Sequence, residues 1–302
     1  MYKTIDRILE ADRTVILDGG TGTDIQRRGA PMSGETWCAE VNRTHPQIVE
    51  AVHRDYIAAG AHVITANTFA TSALSFNALG RDGELLELDR LAVATAKKAA
   101  AGTKVAVAGS VSTMRPVIPG SDRTDKQREW PEAEARRLFE AKVQNLAKAG
   151  ADFLMMEMMR DADYSVWASE AAIATGLPVW IGISLESGKD GKLRGFGRED
   201  QLFEDFGPKL AALNPAAICI MHTSPNDTDE AVALLKTFWQ GAMGAYPESG
   251  YFKMPDWQFI DVIPPTLLLA KAKTWKEIGV SILGGCCGIG PDHIKALSKE
   301  FG

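Results

Sequence analysis

Short apolar runs recur along the chain, and segments with the spacing of amphipathic helices lie between them. The runs that we interpret as strands are residues 15–20, 63–69, 104–111, 153–158, 179–186, 216–223, 242–246 and 280–285. Each run is continuously apolar rather than alternating, which is typical of strands that are buried on both faces. Eight strand–helix units in 302 residues predict an α/β protein with a (β/α)8, or TIM, barrel, formed as a single domain over residues 1–302.

The segments between the strands support this interpretation. In residues 44–61, Ile48, Val52 and Ile57 lie near one helical face, and Thr44 is a candidate N-cap. Similar patterns cover residues 131–152, 226–240 and 263–279, and residues 2–12 are expected to form a short helix that closes the bottom of the barrel. A doubly wound open sheet is the alternative, but the loop 18-DGGTGTDI-25 lacks the G-x-G-x-x-G spacing of a nucleotide-binding fold.

Composition and charge narrow the classes of function. The formal net charge is −6 and no run of lysine and arginine stands out, which argues against nucleic acid and anionic membranes as partners. No segment approaches the ~18 apolar residues of a membrane span, and the first residues lack a signal-peptide pattern, so we expect a cytoplasmic protein. Four cysteines are too few for a disulfide framework, and metal ligands, reactive thiols and core residues are the alternatives.

Polar and reactive side chains cluster where the predicted strands end. In chain order they are Asp18, Asn67, Thr68, Ser110, Ser112, Glu157, Glu186, Cys219, His222, Cys286 and Cys287. The carboxyl ends of barrel strands meet around one mouth, where active sites form. Glu157 lies inside the apolar run FLMMEMM, and a buried carboxylate is costly unless it is paired. It therefore requires a partner, such as the ammonium group of a substrate or a buried donor.

The stretch 280-VSILGGCCGIGPDHI-294 places two of the four cysteines side by side. Cys286 and Cys287 could both bind one zinc ion through their thiolates. Because successive side chains of a strand point in opposite directions, the backbone must leave extended geometry there, and Gly284, Gly285 and Gly288 permit such a turn. The alternative is a pair of small buried side chains without a metal.

Two long segments, 112–130 and 246–258, are polar, contain proline and glycine, and follow predicted strands. We expect both to be irregular, to lie over the mouth and to build the pocket for a second substrate. Trp37 either caps a ligand pocket or packs in the core. The histidines that we interpret as structural are His45, His53, His62 and His293, whereas the role of His222 stays open.

Taken together, these motifs resemble the homocysteine S-methyltransferase family, which includes betaine–homocysteine methyltransferase and the homocysteine module of cobalamin-dependent methionine synthase. The matching stretches are DGGTGTDIQRRG, TWCAEVNRTHPQIVEAVHRDYIAAGAHVITANTFATS, VAGSV, GADFLMMEMM, LPVWIGISL and GGCCGIGPDHI. They follow the family order and cover nearly the whole chain. The double cysteine of the last stretch is the most specific of them.

The resemblance implies a methyltransferase of methionine biosynthesis that acts on a small-molecule thiol and a methyl donor. In the family, zinc held by three cysteines binds the thiol of homocysteine as a thiolate, which attacks the methyl group of an onium compound or of a methyl-corrinoid. A corrinoid protein is therefore one candidate partner. By this resemblance Cys286 and Cys287 are zinc ligands and Glu157 receives the substrate ammonium group. We assign Asp18 to catalysis as well, and substrate binding to Gly19, Gly20, Asn67, Thr68 and Trp37.

The sequence departs from the family where the third zinc ligand is expected. The family has Asn-Cys near the end of the sixth strand, and the aligned residues here are Ile220 and Met221. Cys219 lies about 6.6 Å deeper along an extended strand and would need a β-bulge to join the cysteine pair. We take Cys219 as the candidate third ligand, with two alternatives: Met221, a poor zinc ligand, and His222, which would have to turn inward.

This departure leaves two further hypotheses open. One is a zinc-free or altered-acceptor methyltransferase or demethylase of the same fold. The other is a binding protein without catalysis, against which the carboxylates of Asp18 and Glu157 argue. The family's Pro-Asn after the seventh strand is Pro247-Glu248 here. Neither the methyl donor nor the oligomeric state follows from the sequence.

Overall fold

The computed structural model describes residues 1–118, 128–254 and 258–302. The strands of these residues are β1 (Val15–Ile16), β2 (Val63–Ala66), β3 (Ala106–Ser112), β4 (Phe153–Met159), β5 (Val179–Ile183), β6 (Leu185–Ser187), β7 (Leu193–Gly195), β8 (Ala217–Met221), β9 (Ala242–Tyr246), β10 (Tyr251–Lys253), β11 (Gln258–Ile260) and β12 (Ile282–Leu283). Each of the eight runs that were predicted as strands overlaps one of them; most of the runs extend beyond the observed strand, whereas β3 and β4 each end one residue after the predicted run.

One parallel sheet forms a barrel. Its strand order is β1-β12-β9-β8-β5-β4-β3-β2. A parallel bridge between Leu17 and Val63 joins the two outermost strands, where the N–H of Asp18 donates to the carbonyl oxygen of Val63 at 3.1 Å. The predicted (β/α)8 barrel is therefore confirmed, and the open-sheet alternative is wrong.

Helices connect the barrel strands. Those of the described residues are α1 (Tyr2–Glu10), α2 (Thr21–Arg27), α3 (Val41–Thr44), α4 (Pro46–Ala58), α5 (Ala73–Ala78), α6 (Leu85–Ala100), α7 (Glu132–Ala149), α8 (Asp163–Ile173), α9 (Phe203–Ala211), α10 (Pro225–Phe238), α11 (Pro265–Ile278) and α12 (Pro291–Phe301), with a short 3₁₀ helix over Asp82–Glu84. The helix predicted over residues 44–61 is broken near its start, so Thr44 ends α3 and His45 caps α4. Proline disfavours helical geometry in the residue before it, and His45 accordingly has a φ of −138°.

Alternation along the strands divides their side chains between two cores. In β4, Leu154 and Met156 face the helices, whereas Phe153 and Met155 point into the barrel. Glu157 is the next inward position, because side chains alternate with a period of two. The strand geometry therefore carries this carboxylate to the open end of the barrel.

The first helix closes the opposite end of the barrel, as the sequence predicted. Ile5 and Ile8 of α1 pack in the interior core. The indole N–H of Trp180, on β5, donates to the hydroxyl of Tyr2 at 2.9 Å. Among the described residues, α1 thus fills and closes this end of the barrel, opposite the carboxyl ends of the strands where active sites form.

Two antiparallel hairpins lie above the barrel strands, β6 with β7 and β10 with β11. The second hairpin corrects the expectation that residues 246–258 are irregular, since Tyr251 pairs with Ile260 and Lys253 with Gln258. The parts of the predicted donor pocket at 119–127 and 255–257 lie outside the described residues. Among the helices of the described chain, none is long and apolar enough to cross a membrane.

Candidate active site

A cavity of about 1040 Å³ opens at the carboxyl ends of the barrel strands. Its wall contains residues that end or follow β1, β2, β4, β8, β9 and β12. Of the residues predicted for the site, the wall includes Asp18, Gly19, Gly20, Trp37, Asn67, Glu157, Cys286 and Cys287. The fold therefore brings the acid of β4 and the paired cysteines that follow β12 to one cavity.

Two buried carboxylates line this cavity. Asp18 accepts hydrogen bonds from the N–H of Thr65 at 2.6 Å and from the Thr65 hydroxyl at 3.0 Å. Glu157 accepts a short hydrogen bond from the hydroxyl of Ser110, on β3. Asp18 is 2% exposed and Glu157 9%, and within the described part of the chain neither forms an ion pair with a lysine or arginine. The site therefore holds negative charge that a ligand cation could compensate.

Burial raises the pKa of both carboxyl groups to about 7. The hydrogen bonds from Thr65 and Ser110 oppose this rise, and the charge of Glu157 adds to it at Asp18. Near neutral pH, a bound cation would shift each group to its ionised form. The pair is suited to receive an ammonium group.

The cysteine pair lies on a turn after β12. The N–H of Cys286 donates to the carbonyl oxygen of Pro247 at 2.8 Å, and the N–H of Ser249 donates to that of Cys287 at 2.9 Å. Gly288 has a φ of +83°, in the left-handed region that favours glycine. The predicted departure from extended geometry is thus present, and both cysteines reach the cavity wall.

A second turn, at the end of β8, directs His222 to the same place. Met221 is the last strand residue and points into the barrel, so an extended backbone would turn the next side chain outward. His222 instead has a φ of +43°. Its N–H donates to the carbonyl oxygen of Tyr246 at 3.3 Å, and its carbonyl oxygen accepts from the hydroxyl of Ser184 at 2.9 Å. These contacts hold the turn that brings the imidazole inward.

One imidazole and two thiols meet at this point. Nδ1 of His222 lies 3.5 Å from Sγ of Cys286, and the donor atoms of His222, Cys286 and Cys287 all lie within 4.8 Å of one another. A carboxylate oxygen of Glu248 lies 3.0 Å from the same imidazole nitrogen. Nitrogen and sulfur are the preferred zinc donors, and catalytic zinc sites use three protein ligands with one open position. The residues present therefore fit a zinc ion.

Without a metal, the surroundings favour a protonated imidazole and a neutral thiol. Burial opposes the charge of His222, but Glu248 and Cys286 outweigh burial and raise the pKa of the imidazole well above its usual value. Contact with Cys287, together with burial, raises the pKa of Cys286. A bound cation would reverse both preferences, since metal ligation requires deprotonated donors.

Cys219 lies below this group. The pairing of β8 with β9 runs without a bulge from Ala217 to Met221, so Cys219 stays one inward position beneath Met221. Burial raises the pKa of its thiol, and a Cβ added to Gly244 would lie 2.3 Å from its sulfur. Of the two candidates with a nitrogen or thiol donor, the structure brings His222 and not Cys219 to the cysteine pair in the described residues, while the sulfur of Met221 accepts from the N–H of Met158 at 3.3 Å. The sequence assignment of Cys219 is corrected accordingly.

Gly19 and Gly20 allow the loop after β1 to approach the loop that carries the cysteines. A Cβ on Gly19 would lie 2.2 Å from the carbonyl oxygen of Ile289, and one on Gly20 would lie 2.6 Å from that of Cys286. The N–H of Gly20 donates to the carbonyl oxygen of Ile289 at 2.9 Å. The close packing of the two loops explains why both positions are glycine. Their role in substrate binding stays a prediction.

Aromatic side chains form another part of the wall. The ring of Trp37 lies 6.3 Å from that of Phe69 and 6.0 Å from that of Phe252, both edge-on. Phe252 is 4.7 Å from Phe259 across the β10–β11 hairpin. A Cβ on Gly22 would lie 2.3 Å from Trp37, so this glycine makes room for the indole. Trp37 thus lines the cavity and also packs against the hydrophobic core, so the structure does not separate its two alternatives.

Two residues that were assigned to substrate binding have structural partners. The amide nitrogen of Asn67 donates to the side-chain oxygen of Asn42 at 3.0 Å, and its amide oxygen accepts from the thiol of Cys38 at 3.1 Å. The hydroxyl of Thr68 donates to the carbonyl oxygen of Ser110 at 2.8 Å. Thr68 is absent from the wall of the cavity, so the structure does not bring it to the site.

Several residues of the cavity wall are not predicted by the sequence patterns. Arg160, Phe196, Tyr246 and Glu248 all line the cavity, and only Glu248 had been noted, as a difference from the family. Arg160 follows the apolar run of β4 directly, which is the kind of position that had identified the other polar residues at strand ends. Phe196 gave no comparable signal, because it comes from the loop after the β6–β7 hairpin.

Buried carboxylates beside a cluster of thiols and an imidazole, at the mouth of a (β/α)8 barrel, define a barrel enzyme with a candidate metal centre. The homocysteine S-methyltransferase family model matches residues 15–301 of the chain. The chain belongs to this family, and it is a methyltransferase.

The individual relatives have low sequence identity to this chain. The chain is 26% identical to betaine–homocysteine S-methyltransferase 1 of Mus musculus, over 97% of this chain and 73% of that one. It is 27% identical to homocysteine S-methyltransferase 1 of Zea mays, over 97% and 96%, and 26% identical to selenocysteine Se-methyltransferase of Brassica oleracea var. italica, over 99% and 92%. The metallated form of the homocysteine methyltransferase MmuM from Escherichia coli has the same fold, with a TM-score of 0.77 at 22% identity over 97% and 99% of the two chains.

Proposed function

We propose that this protein transfers a methyl group from an onium compound to the thiol of homocysteine, and that His222, Cys286 and Cys287 hold a zinc ion for this reaction. One observation carries the proposal. The imidazole and the two thiols lie within 4.8 Å of one another, in the wall of the cavity that also contains Asp18 and Glu157.

The acceptor end of the proposal rests on the two acids. Glu157 and Asp18 supply carboxylates for the ammonium group of an amino acid, and burial keeps their pKa near 7 until such a cation binds. Glu157 lines the same cavity as His222, Cys286 and Cys287. An amino acid held by its ammonium group at Glu157 can then point a side-chain thiol toward His222 and Cys286.

The zinc ion, when bound, would lower the pKa of the acceptor thiol, so that a thiolate is available at neutral pH. In the transfer itself the thiol loses its proton, and its sulfur lone pair forms the new bond to the methyl carbon. The bond between that carbon and the donor heteroatom breaks, its electrons stay on that heteroatom, and the onium group becomes an uncharged amine or sulfide. The chain's own task is to align the two substrates and to exclude water.

The donor end of the proposal rests on the aromatic part of the wall. Trp37, Phe69, Phe252 and Phe259 all line the cavity and contact one another edge-on. Aromatic rings attract quaternary ammonium and sulfonium groups through their quadrupoles. This lining favours a small onium donor over the methyl-corrinoid alternative. The relative from Mus musculus is named for betaine, which is itself a quaternary ammonium compound.

The proposal is tested by product formation. Purified protein is incubated with homocysteine and a panel of sulfonium and quaternary ammonium compounds, with a methyl-corrinoid as a separate arm, and methionine is measured by mass spectrometry. We expect methionine from at least one onium donor, and a loss of about tenfold or more in rate with Glu157→Gln. Methionine from the corrinoid arm alone, or from no arm with zinc-loaded protein, contradicts the proposal.

The second candidate is the same transfer to a different acceptor. It is motivated by the relative that is named a selenocysteine Se-methyltransferase and by the replacement of a cysteine ligand by His222. The same assay therefore includes selenocysteine and other thiols in place of homocysteine. Faster methylation of one of these acceptors, at equal concentration, would favour the second candidate. Full activity after the removal of zinc by a chelator would instead favour the zinc-free form.

A further inference from the structure

Arg160 is a buried cation in the cavity wall that the proposed reaction does not use. It follows β4 directly and is 6% exposed. Its guanidinium donates through Nη1 to the carbonyl oxygen of Phe196 at 3.2 Å. Across residues 1–118, 128–254 and 258–302, no carboxylate lies within ion-pair distance, 4.0 Å, of this group.

The acids near Arg160 have other partners. Asp161 pairs with Arg198 at 3.3 Å and accepts from the N–H of Ser165 at 3.3 Å. Glu186 accepts from the N–H of Gly197 at 2.7 Å. A guanidinium has five N–H donors, and a buried charge of this kind is stable only when it is paired and hydrogen-bonded. Within the part of the chain that the structure describes, Arg160 therefore has N–H donors left for a ligand.

A second buried arginine adds to the positive charge. Arg115 is 2% exposed, stacks over the ring of Tyr164 at 4.6 Å and donates to the carbonyl oxygen of Arg128 at 2.9 Å. Burial, followed by the charge of Arg115, lowers the pKa of Arg160 to about 10, so the group still carries its charge at neutral pH. Arg115 is not itself in the cavity wall, so Arg160 is the group that an anion in the cavity would meet.

Phe196 connects this part of the wall to the candidate metal group. Its carbonyl oxygen accepts from Arg160, and its ring packs edge-on against the imidazole of His222 with a centroid distance of 5.0 Å. Glu157 bonds to Ser110 of β3, whereas the partner of Arg160, Phe196, donates its N–H to the carbonyl oxygen of Ser184 directly after β5, and β3 and β5 lie on opposite sides of β4. Arg160 and the receptor for the amino-acid ammonium group thus belong to different parts of the cavity.

We propose that Arg160 binds a carboxylate of the methyl donor, so that the donor is a zwitterion with an onium group at one end and a carboxylate at the other. This inference rests on the proposed function and specifies its second substrate. A guanidinium can pair with a carboxylate through two parallel hydrogen bonds. A donor with only a positive charge would meet the like charges of Arg160 and Arg115, which disfavour its binding.

Binding measurements test the proposal without requiring methyl transfer. The probes are dimethylsulfonium carboxylates with one, two or three methylene groups between sulfur and carboxylate. Each is compared with its primary amide, which keeps the sulfonium charge but replaces the carboxylate by an uncharged group. Dissociation constants are measured by calorimetry, in the absence of an acceptor and with homoserine, which keeps the amino-acid end of homocysteine but lacks the thiol. The variants are Arg160→Met and Arg160→Lys. The control is Arg194→Met, which removes an arginine that pairs with Asp190 on the neighbouring hairpin and is outside the cavity wall.

We expect the wild-type protein to bind at least one carboxylate about tenfold or more tightly than its amide. Arg160→Met should reduce this ratio to about one, Arg160→Lys should keep part of it because the charge but not the planar fork remains, and Arg194→Met should leave it unchanged. An equal affinity for carboxylate and amide in the wild type overturns the proposal, as does a preference that survives in Arg160→Met. If Arg160→Met does not fold, an Arg160→Lys protein with the full wild-type ratio overturns it.

This design distinguishes a failure of the proposed function from a failure of the assignment of Arg160 to the donor. If the proposed function is wrong, no methionine forms with any donor, and the ratio of the dissociation constants still decides the role of Arg160. If Arg160 instead recognises the acceptor, Arg160→Met weakens the binding of homoserine and leaves the ratio of carboxylate to amide unchanged, which rejects the donor assignment.

Discussion

The imidazole nitrogen of His222 lies 3.5 Å from the thiol of Cys286, although 64 positions separate the two residues in the chain. The barrel explains the distance, because β8, β9 and β12 are neighbours in the sheet and their carboxyl ends share one rim. Two backbone turns, with a φ of +43° at His222 and of +83° at Gly288, then direct the side chains inward. The candidate metal group therefore depends on loop geometry that is imposed on a regular barrel.

Replacing Glu157 by glutamine should separate stability from activity. A carboxyl group whose pKa is raised on folding, here from 4.5 to about 7, stabilises the fold at low pH and loses this contribution as the pH rises through about 7. Glutamine cannot ionise and can still accept from Ser110. We therefore expect Glu157→Gln to be more stable than the wild type at about pH 8, by up to about 3 kcal/mol, while it loses the affinity for the substrate ammonium group.

The measurement for Glu157→Gln is urea unfolding of both proteins at about pH 5 and about pH 8. The difference in the free energy of unfolding should be small at the lower pH and should favour the variant at the higher one. A variant that is less stable than the wild type at both pH values would show that the ionised carboxylate has a stabilising partner in the folded protein.

Replacing Gly20 by alanine should disturb the cysteine loop. The added Cβ would lie 2.6 Å from the carbonyl oxygen of Cys286, a backbone atom that cannot move without shifting the turn. We expect a loss of about 1–3 kcal/mol in the free energy of unfolding and weaker zinc binding. Gly34→Ala is the matched control, since a Cβ there would have no heavy atom within 4 Å. Equal effects of the two substitutions, measured by thermal unfolding and metal content, would contradict the close-approach argument.

Replacing Trp37 by leucine should weaken donor binding and spare the acceptor. Leucine keeps an apolar side chain but removes the aromatic face that the proposal offers to an onium group. We expect the KM of the donor to rise about tenfold with little change in the KM of homocysteine. Trp167→Leu is the control, because Trp167 packs on Tyr164 at 5.0 Å and is outside the cavity wall. A rise confined to the KM of homocysteine would place Trp37 at the acceptor instead.

The parts of the structure that the sequence predicts are those with a local signature. Continuous apolar runs identify the barrel strands, and the period of two then places Glu157 above Met155 on the inner face of β4. The glycines around Cys286 and Cys287 predict a turn there. Each of these conclusions depends on a few neighbouring residues, whose pattern survives in the folded chain.

The parts that the sequence misses depend on contacts between distant segments. The spacing of the family motif aligns the missing Asn-Cys with Ile220 and Met221, whereas the imidazole of His222 is the group that lies beside Cys286. Its left-handed backbone is held by Tyr246 and Ser184, which no local pattern reveals. The β10–β11 hairpin was missed because its paired strands have only three residues each.

The central claim is that His222, and not Cys219, completes a zinc site with Cys286 and Cys287. The direct test is the zinc content, by elemental mass spectrometry, of wild type, His222→Ala, His222→Cys, Cys219→Ser and Cys286→Ser, all purified without added metal. The account predicts close to one zinc per chain in wild type, His222→Cys and Cys219→Ser, and its loss in His222→Ala and Cys286→Ser. Zinc that is retained in His222→Ala and lost in Cys219→Ser would contradict it.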